Sequence, residues 1–308
     1  MVSDFRAFIK KLEEEGELHR VSEEVDPNLE ITEIAIRAQK ENKPAILFEN
    51  VKDSMFPLAI NTFASEKRIN IALGQDPEEI GLELLHFVEA MRPPNLKKIF
   101  EQRKTIKRLL AFPPKKNSKR IHNLILENGL KDLPILKCWP EDGGNFITLP
   151  LVQTEDPVNS IPNLGMYRMH VYDNFSTGMH MQIGKGGGYH YKEAERLRKE
   201  LPVAVTLGGD PVLTIASIMA LPEGIGELEF AGLVRGKRTK LSKCKTIDMK
   251  APSSGEFLIE GHLRPEERKL EGPFGDHFGH YSEAGNYPVF HINNVYYREN
   301  AIYPATVV

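Results

Sequence analysis

The densest group of titratable side chains lies in the segment Leu270 to Phe290, LEGPFGDHFGHYSEAGNYPVF. Glu271 and Asp276 lie five residues apart around a Gly-Pro turn, and histidine and tyrosine side chains follow them. A turn needs glycine and proline, but it does not need this many ionisable groups. Two carboxylates in different surroundings acquire different pKa values, so that one can hold a cation while the other transfers a proton. The segment therefore predicts acid–base chemistry.

An arginine that could partner these carboxylates lies in NLGMYRMHVYD, Asn163 to Asp173, an otherwise apolar strand-like run. A guanidinium stays charged at any relevant pH, so an arginine in such a run needs a carboxylate or phosphate partner. Glu271 and Asp276 are the candidate partners of Arg168. An arginine on the solvated face of a strand is the alternative, and the residues alone leave it open.

A third polar segment, Ser217 to Gly236, reads SIMALPEGIGELEFAGLVRG. If it forms a strand, Glu227 and Glu229 point to the same face. An exposed acidic face is the simpler interpretation of this pair.

The elements that carry these segments divide into two parts. Up to about residue 110, helical and strand patterns alternate and predict an N-terminal α/β domain, 1–115, that ends in the basic, proline-led segment FPPKKNSKR. Ser3 is the expected N-cap of the first helix, which Gly16 ends. The other predicted elements are a helix after Asp26-Pro27, a strand over Ala45 to Val51, and helices over 65–73, 77–91 and 96–110.

The remainder, 116–308, is rich in short strand-like runs separated by Gly, Pro, Asn and Asp turns, which favours a barrel or sandwich. PVLTIAS and ELEFAGLVRG are among the runs expected to be strands. One helix is expected, YKEAERLRKEL at 191–201, with the glycine cluster 184–188 as a turn before it. The predicted fold class is α+β.

Composition excludes several classes of protein. The 308 residues carry a formal net charge of −3 and only two cysteines, Cys138 and Cys244, far apart in the sequence. No basic nucleic-acid footprint, disulfide framework or cysteine metal knuckle is present. No run approaches the ~20 apolar residues that a membrane span requires, so we expect a cytoplasmic protein without a transmembrane segment.

Taken in order, NxGxYR at Asn163 to Arg168, ELEFAG at Glu227 to Gly232 and EGPFGD at Glu271 to Asp276 resemble the UbiD family of reversible decarboxylases, which use prenylated FMN. The segments CWPEDGGNFITLP and ENAIYPATVV also resemble that family. The resemblance implies a flavin-reductase-like split β-barrel for 116–308. It also implies an aromatic or α,β-unsaturated carboxylic acid as substrate.

The resemblance assigns roles residue by residue. Arg168 binds the substrate carboxylate, Glu271 forms an ion pair with Arg168, and Asp276 donates a proton. A manganese ion (Mn²⁺), with potassium (K⁺) nearby, holds the flavin phosphate through Asn163 and Glu227. The family's third ligand is a histidine, and Gly184 lies at that position here. The residues expected to contact prenylated FMN are Thr148, Asn163, Gly165, Met166, Tyr167, Arg168, Ser217, Ile218, Met219 and Glu227.

Two departures from the family pattern define the alternatives. Gly184 has no donor side chain, so His180, His190 or a water would have to complete the metal site. Family members also continue beyond the position of Val308 into a domain that mediates oligomerisation and completes the cofactor pocket. The chain is thus expected either to form a homo-oligomer, with such a domain supplied, or to act with a partner chain. A non-catalytic flavin-binding subunit is the alternative function, and a plain FMN oxidoreductase is a third, which makes no use of EGPFGD.

Overall fold

The computed structural model describes residues 2–90, 108, 110–117, 119, 122–182, 184, 186–221, 225–276 and 279–307. The helix predicted over 96–110 lies almost entirely outside the described residues. Among the described residues, no helix is both long enough and apolar enough to cross a membrane.

The described residues of the N-terminal part contain four helices and three strands, of which the four helices and one strand were predicted from the sequence. The elements are α1 Phe5–Glu14, β1 Leu18–Val25, α2 Glu30–Lys40, β2 Ala45–Val51, β3 Leu58–Ile60, α3 Glu66–Leu73 and α4 Pro77–Ala90. Helix α1 buries its apolar face, but its N-cap is Asp4 rather than Ser3, because Oδ1 of Asp4 accepts the N–H of Ala7 at 2.9 Å. Strand β1 was missed, since its sequence LHRVSEEV is mostly polar and exposed.

The C-terminal end of the chain returns to this first unit. Strand β18, Tyr303–Pro304, pairs in parallel with β3, which gives a four-stranded sheet of order β1-β2-β3-β18. Phe56 meets Phe257 edge-on at 4.9 Å between ring centroids, and both belong to one apolar core that spans the two parts of the chain. The N-terminal unit is therefore packed directly against the β-rich part.

The β-rich part is built on one nine-stranded sheet. Its strands are β5 Leu124–Ile125, β6 Phe146–Ile147, β7 Pro150–Glu155, β8 Pro162–Met166, β9 Met169–Asp173, β10 Ser176–Met179, β11 Leu201–Leu207, β14 Phe257–Glu271 and β17 Gly285–Tyr297. They follow the order β6-β9-β10-β17-β14-β11-β7-β8, with β5 paired to β17. The outermost strands β6 and β8 do not pair with each other, so the described strands form no closed barrel.

Smaller elements complete the architecture. Strands β4 Lys115–Lys116, β12 Lys240–Lys243 and β13 Lys250–Pro252 form a three-stranded sheet, so the basic segment after residue 112 is partly a strand. Strands β15 Phe274–Gly275 and β16 Tyr281–Ser282 form a hairpin. A 3-10 helix spans Gly129–Asp132.

Three helices correct the sequence prediction for this part: α5 Gly186–Arg196, α6 Pro211–Ala216 and α7 Glu227–Arg235. Helix α5 begins within the glycine cluster, so Gly186 to Gly188 form its first turn rather than a preceding turn. PVLTIAS and ELEFAGLVRG were expected to be strands, and this was wrong. Short apolar runs do not separate strand from helix by periodicity, whereas the Asp210-Pro211 pair is a helix-start signal.

Candidate functional site

Arg168 lies between β8 and β9 and is fixed on two sides. Its Nε donates to Oε1 of Glu271 at 2.8 Å, and its Nη2 donates to Oε2 of Glu271 at 3.2 Å and to Oγ of Ser282 at 3.0 Å. The guanidinium also covers the ring of Phe274 at 4.5 Å from the centroid. The predicted ion pair between Arg168 and Glu271 is confirmed, and the solvated-arginine alternative was wrong.

Glu271 ends strand β14 and is fully buried. Burial by itself would raise the pKa of Glu271, but hydrogen bonds from His180 and Arg168 outweigh it and hold the pKa below its usual range. Glu271 is therefore a buried, ionised carboxylate that accepts hydrogen bonds from two side chains.

His180, just after β10, is the second side chain that holds Glu271. Its Nδ1 lies 3.1 Å from Oε2 of Glu271, and its ring stacks on Tyr287 with centroids 4.2 Å apart. The sequence had suggested His180 only as a substitute metal ligand, whereas the structure directs its Nδ1 to the Arg168–Glu271 pair. Its position in MHMQIGK gave no indication of this contact.

Asp276 lies in the loop of the β15–β16 hairpin. Its N–H donates to the carbonyl of His280 at 2.9 Å, and its own carbonyl accepts the N–H of Gly279 at 3.1 Å. Phe274 and Ser282, which face each other in this hairpin, are the residues that contact Arg168. The hairpin that contacts the guanidinium of Arg168 therefore also contains Asp276. His277 lies outside the described residues.

The segment after Cys138 is hydrogen-bonded to this hairpin and to the turn before it, and we call its residues Asp142 and Gly143 the clamp. Oδ1 of Asp142 accepts the N–H of Gly275 at 2.8 Å, and Oδ2 accepts the N–H of Trp139 at 2.9 Å. The N–H of Gly143 donates to the carbonyl of Pro273 at 2.8 Å. Burial raises the pKa of Asp142, against the effect of the backbone donors. In the sequence, CWPEDGG stood out only as a family-like segment, and its contact with EGPFGD was missed.

We expect Asp142→Ala to lower the free energy of unfolding by about 3 kcal/mol, because two backbone N–H groups lose their carboxylate acceptor in a buried turn. Urea unfolding followed by far-ultraviolet circular dichroism measures the change. Glu141→Ala is the matched control, since the neighbouring Glu141 side chain is exposed. Equal stability of the two variants would contradict the assignment of Asp142 as a clamp.

A second polar group surrounds the first turn of α5. The hydroxyl of Tyr167 accepts the N–H of Gly187 at 3.0 Å and the amide N–H of Asn163 at 3.3 Å. Oε2 of Glu227 accepts the N–H of Leu164 at 3.0 Å. Burial raises the pKa of Glu227 and of Tyr167. Asn163 and Glu227, the two predicted metal ligands, are thus held around the same short segment of β8.

Among the residues that the structure describes, no third ligand joins them. Gly184 has φ +97°, and apart from its chain neighbours no atom of the described residues lies within 4 Å of where its side chain would begin. Nδ1 of His190 is engaged with Oγ1 of Thr154 at 2.9 Å. Within the described ranges, no group of three or more His, Cys, Asp and Glu residues could hold a metal ion. Two oxygen ligands are fewer than manganese ordinarily takes from its surroundings, so the residues present do not form a complete metal site.

Two of the residues expected to contact a flavin, Met166 and Ile218, line a cavity between the N-terminal unit and the β-rich sheet. It encloses about 400 Å³, and its lining includes Leu149, Met166, Thr214, Ile215, Ile218 and Thr306. Thr148 is buried and is not part of the lining, but its Oγ1 accepts the N–H of the lining residue Thr306 at 3.0 Å. Ser217 follows α6, and Ile218 and Met219 are 67% and 43% exposed. Gly165 lies apart from the cavity, against the hydroxyl of Tyr167.

The arrangement suits a carboxylic acid. A guanidinium fixed along one edge, an ionised carboxylate that neutralises it and an acid on the hairpin that contacts it can hold a carboxylate and move a proton. An apolar cavity lined by Met166, two residues before Arg168 in the chain, offers room for a planar group.

Family comparison agrees with this class of site. The family model of the 3-octaprenyl-4-hydroxybenzoate carboxy-lyase Rift-related domain matches residues 115–308, and that of the corresponding N-terminal domain matches residues 9–88. The chain belongs to the UbiD family of carboxy-lyases.

Individual relatives cover nearly the whole chain. An uncharacterised protein of Archaeoglobus fulgidus is 44% identical over 99% of this chain and 64% of its own length. A Chlamydia pneumoniae protein, named as one subunit of 4-hydroxybenzoate decarboxylase, is 40% identical over 100% of this chain and 53% of its own length. The chain therefore spans between about half and two thirds of the length of these curated relatives.

Solved structures show the same fold. The UbiD-class enzyme HmfF of Pelotomaculum thermopropionicum, in an evolved dimeric form in complex with prFMN, superposes with a TM-score of 0.85 at 26% identity, over 99% of this chain and 67% of that one. The closed form of the vanillic acid decarboxylase ShVdcCD of Sedimentibacter hydroxybenzoicus gives 0.84 at 27% identity, over 100% of this chain and 64% of that one.

Proposed function

We propose that this chain is the prenylated-FMN-binding part of a UbiD-type decarboxylase that acts on an aromatic or α,β-unsaturated carboxylic acid. One observation carries the proposal: Arg168 is fixed through Nε and Nη2, while no hydrogen bond within the described part of the chain engages its Nη1. A guanidinium that is pre-oriented along one edge offers its remaining donors to an incoming carboxylate.

Each polar residue then has a defined task. Arg168 binds the substrate carboxylate, and such a charge-assisted contact contributes on the order of 1.5–3 kcal/mol. Glu271 stays ionised and keeps Arg168 in place. When the bond from the substrate carbon to the carboxylate breaks and CO2 leaves, Asp276 delivers the proton that takes its place. Prenylated FMN, when bound, supplies the electron sink that this bond cleavage requires.

The cavity beside Met166 and Ile218 is the proposed place of the flavin ring. Its predominantly apolar lining suits a planar heteroaromatic group, and Thr214 and Thr306 offer a few polar contacts. The phosphate end is proposed to lie near Asn163 and the glycine-rich first turn of α5, where backbone N–H groups favour an anion. The manganese and potassium ions remain predictions, and no step depends on them because the ligand set lacks its imidazole.

We assign residues 1–115 to an N-terminal α/β domain and 116–308 to a flavin-reductase-like split β-barrel domain. The antiparallel order β10-β17-β14-β11-β7 supports the second assignment. The N-terminal sheet, with its mixture of parallel and antiparallel strands, supports the first.

A further chain segment or a partner chain is proposed to complete the pocket. The exposed apolar residues Ile218 and Met219 beside the cavity favour such a contact. The Chlamydia pneumoniae relative, which is named as one component of a larger enzyme, favours it as well. A homo-oligomer that includes a further domain would cover the same exposed residues.

Gly184 favours the second candidate function, a partner-dependent flavin-binding subunit without turnover, because it removes a phosphate-anchoring ligand.

Flavin loading tests the proposal. We expect the chain, produced together with a prenylated-FMN synthase, to purify with flavin absorption and to release CO2 from 4-hydroxybenzoate or a related acid. Gly186→Ala should reduce flavin retention by about tenfold, because the new methyl group would overlap Oδ1 of Asn163 and displace it. Gly81→Ala is the control, since outside its own helix no atom of the described residues lies within 4 Å of its added carbon. A colourless protein would count against the proposal, and a flavin-loaded protein without CO2 release would favour the non-catalytic alternative.

A further inference from the structure

His180 forms a contact that the proposed roles leave unexplained. Glu271 accepts one hydrogen bond on Oε1, from Nε of Arg168 at 2.8 Å. Its Oε2 is shared between Nη2 of Arg168 at 3.2 Å and Nδ1 of His180 at 3.1 Å. An ionised carboxylate is acceptor-only, so Nδ1 of His180 carries the proton in this contact. The orientation of the carboxylate therefore depends on two donors rather than one.

We propose that His180 is a positioning residue, which fixes the plane of the Glu271 carboxylate and thereby the direction in which Arg168 presents its free edge to a substrate carboxylate. The inference rests on the proposed function of Arg168, but its structural part can be tested separately. His180 itself does not touch the reacting atoms, and it acts only through Glu271.

The surroundings of His180 support a fixed donor. Its backbone N–H donates to the carbonyl of Arg168 at 3.1 Å, so the two residues are tied across neighbouring strands. Its ring stacks on Tyr287 with an interplanar angle of 30°, and its side chain is only 17% exposed. Because its ring stacks on Tyr287 and its backbone is hydrogen-bonded to Arg168, His180 has little freedom to turn Nδ1 away from Glu271.

The surroundings of Glu271 explain why a second donor matters. An added Cβ at Gly178 would lie 3.2 Å from Cγ of Glu271, so the carboxylate stem passes close to a backbone that has no side chain there. The shared oxygen Oε2 would then be held only by the longer of the two Arg168 contacts if the His180 donor were removed. If the carboxylate of Glu271 rotated, the guanidinium would have to move as well, because Nε and Nη2 of Arg168 are hydrogen-bonded to its two oxygens.

Two substitutions separate a hydrogen-bonding role from simple packing. His180→Phe keeps an aromatic ring on Tyr287 but removes the donor. His180→Asn loses the ring but places an amide N–H near the position of Nδ1. If packing were the only role, phenylalanine would be tolerated better than asparagine. The proposal requires the opposite order.

The first measurement is hydrogen exchange of the Nε proton of Arg168, followed by ¹⁵N nuclear magnetic resonance and assigned by its absence in Arg168→Lys. We expect His180→Phe to accelerate this exchange by about tenfold or more, and His180→Asn to keep it near the wild-type rate. His262→Phe is the matched control, because His262 also stacks on another ring, His291 at 5.6 Å, on a different part of the sheet. Unchanged exchange in His180→Phe would overturn the inference.

The second measurement is the affinity for benzoate, a simple carboxylate probe, determined by isothermal titration calorimetry. We expect wild-type protein and His180→Asn to bind within about threefold of each other, and His180→Phe to bind about tenfold more weakly. Equal binding by wild type and His180→Phe would overturn the link to carboxylate binding. If exchange changes as expected but wild type does not bind benzoate, His180 positions the pair and the proposed role of Arg168 fails.

Discussion

Asp276→Asn is expected to lower the rate of CO2 release by a factor of about 10²–10⁴, while the fold and flavin retention stay unchanged. Asparagine matches aspartate in size and keeps one oxygen acceptor, so the hairpin that carries residue 276 can still form. Its amide has no proton that it can deliver at neutral pH. Loss of the rate without loss of the fold would therefore separate proton delivery from a structural role.

Deuterium incorporation gives the direct measurement. The protein is produced with a prenylated-FMN synthase and incubated with 4-hydroxybenzoate in D2O, and the label at the carbon that loses CO2 is followed by nuclear magnetic resonance. Glu283→Gln is the control, because Glu283 is an exposed acid just beyond the same hairpin. Near-full activity of Asp276→Asn would assign the proton to another group.

The need of Arg168 for a carboxylate partner could be predicted from the residues, which offered Glu271 and Asp276, whereas the choice of Glu271 came from the family resemblance. A permanently charged side chain in an apolar run requires a counter-charge wherever the chain folds, and EGPFGD supplies carboxylates beside a rigid turn. The contacts of His180 and Asp142 could not be predicted in the same way. His180 contacts Glu271, which lies 91 positions away, and Asp142 contacts Gly275, which lies 133 positions away. Nothing in the sequence of one segment specifies its contact with the other.

Errors in the predicted elements have an equally specific cause. Segments 211–216 and 227–235 are apolar and short, and they lack the length over which a helical period becomes distinct. Strand β1 is mostly polar because it lies at the edge of its sheet with much of its surface exposed. The secondary structure of these segments depends on their position in the fold. Helices α1 and α2 were predictable because the sequence of each has a clear apolar face.

Glu271→Gln is expected to lower the free energy of unfolding by about 3–5 kcal/mol at neutral pH, because it leaves the largely buried guanidinium of Arg168 without a counter-charge. The effect should depend on pH in a defined direction. The pKa of Glu271 lies below its ordinary value of 4.5, so its stabilising contribution is fully present above about pH 4.5 and is lost as the pH falls through the lowered pKa. The difference between wild type and variant should therefore shrink in acid.

A double variant tests whether the loss comes from the unpaired charge. Arg168→Met combined with Glu271→Gln removes both charges and keeps comparable volumes, so we expect it to be more stable than Glu271→Gln alone. Urea titrations of wild type, both single variants and the double variant at about pH 7 and about pH 3.5 provide the coupling free energy and its pH dependence. If the double variant loses the sum of the two single losses, the two residues are energetically independent, and the ion pair does not hold Arg168 in place.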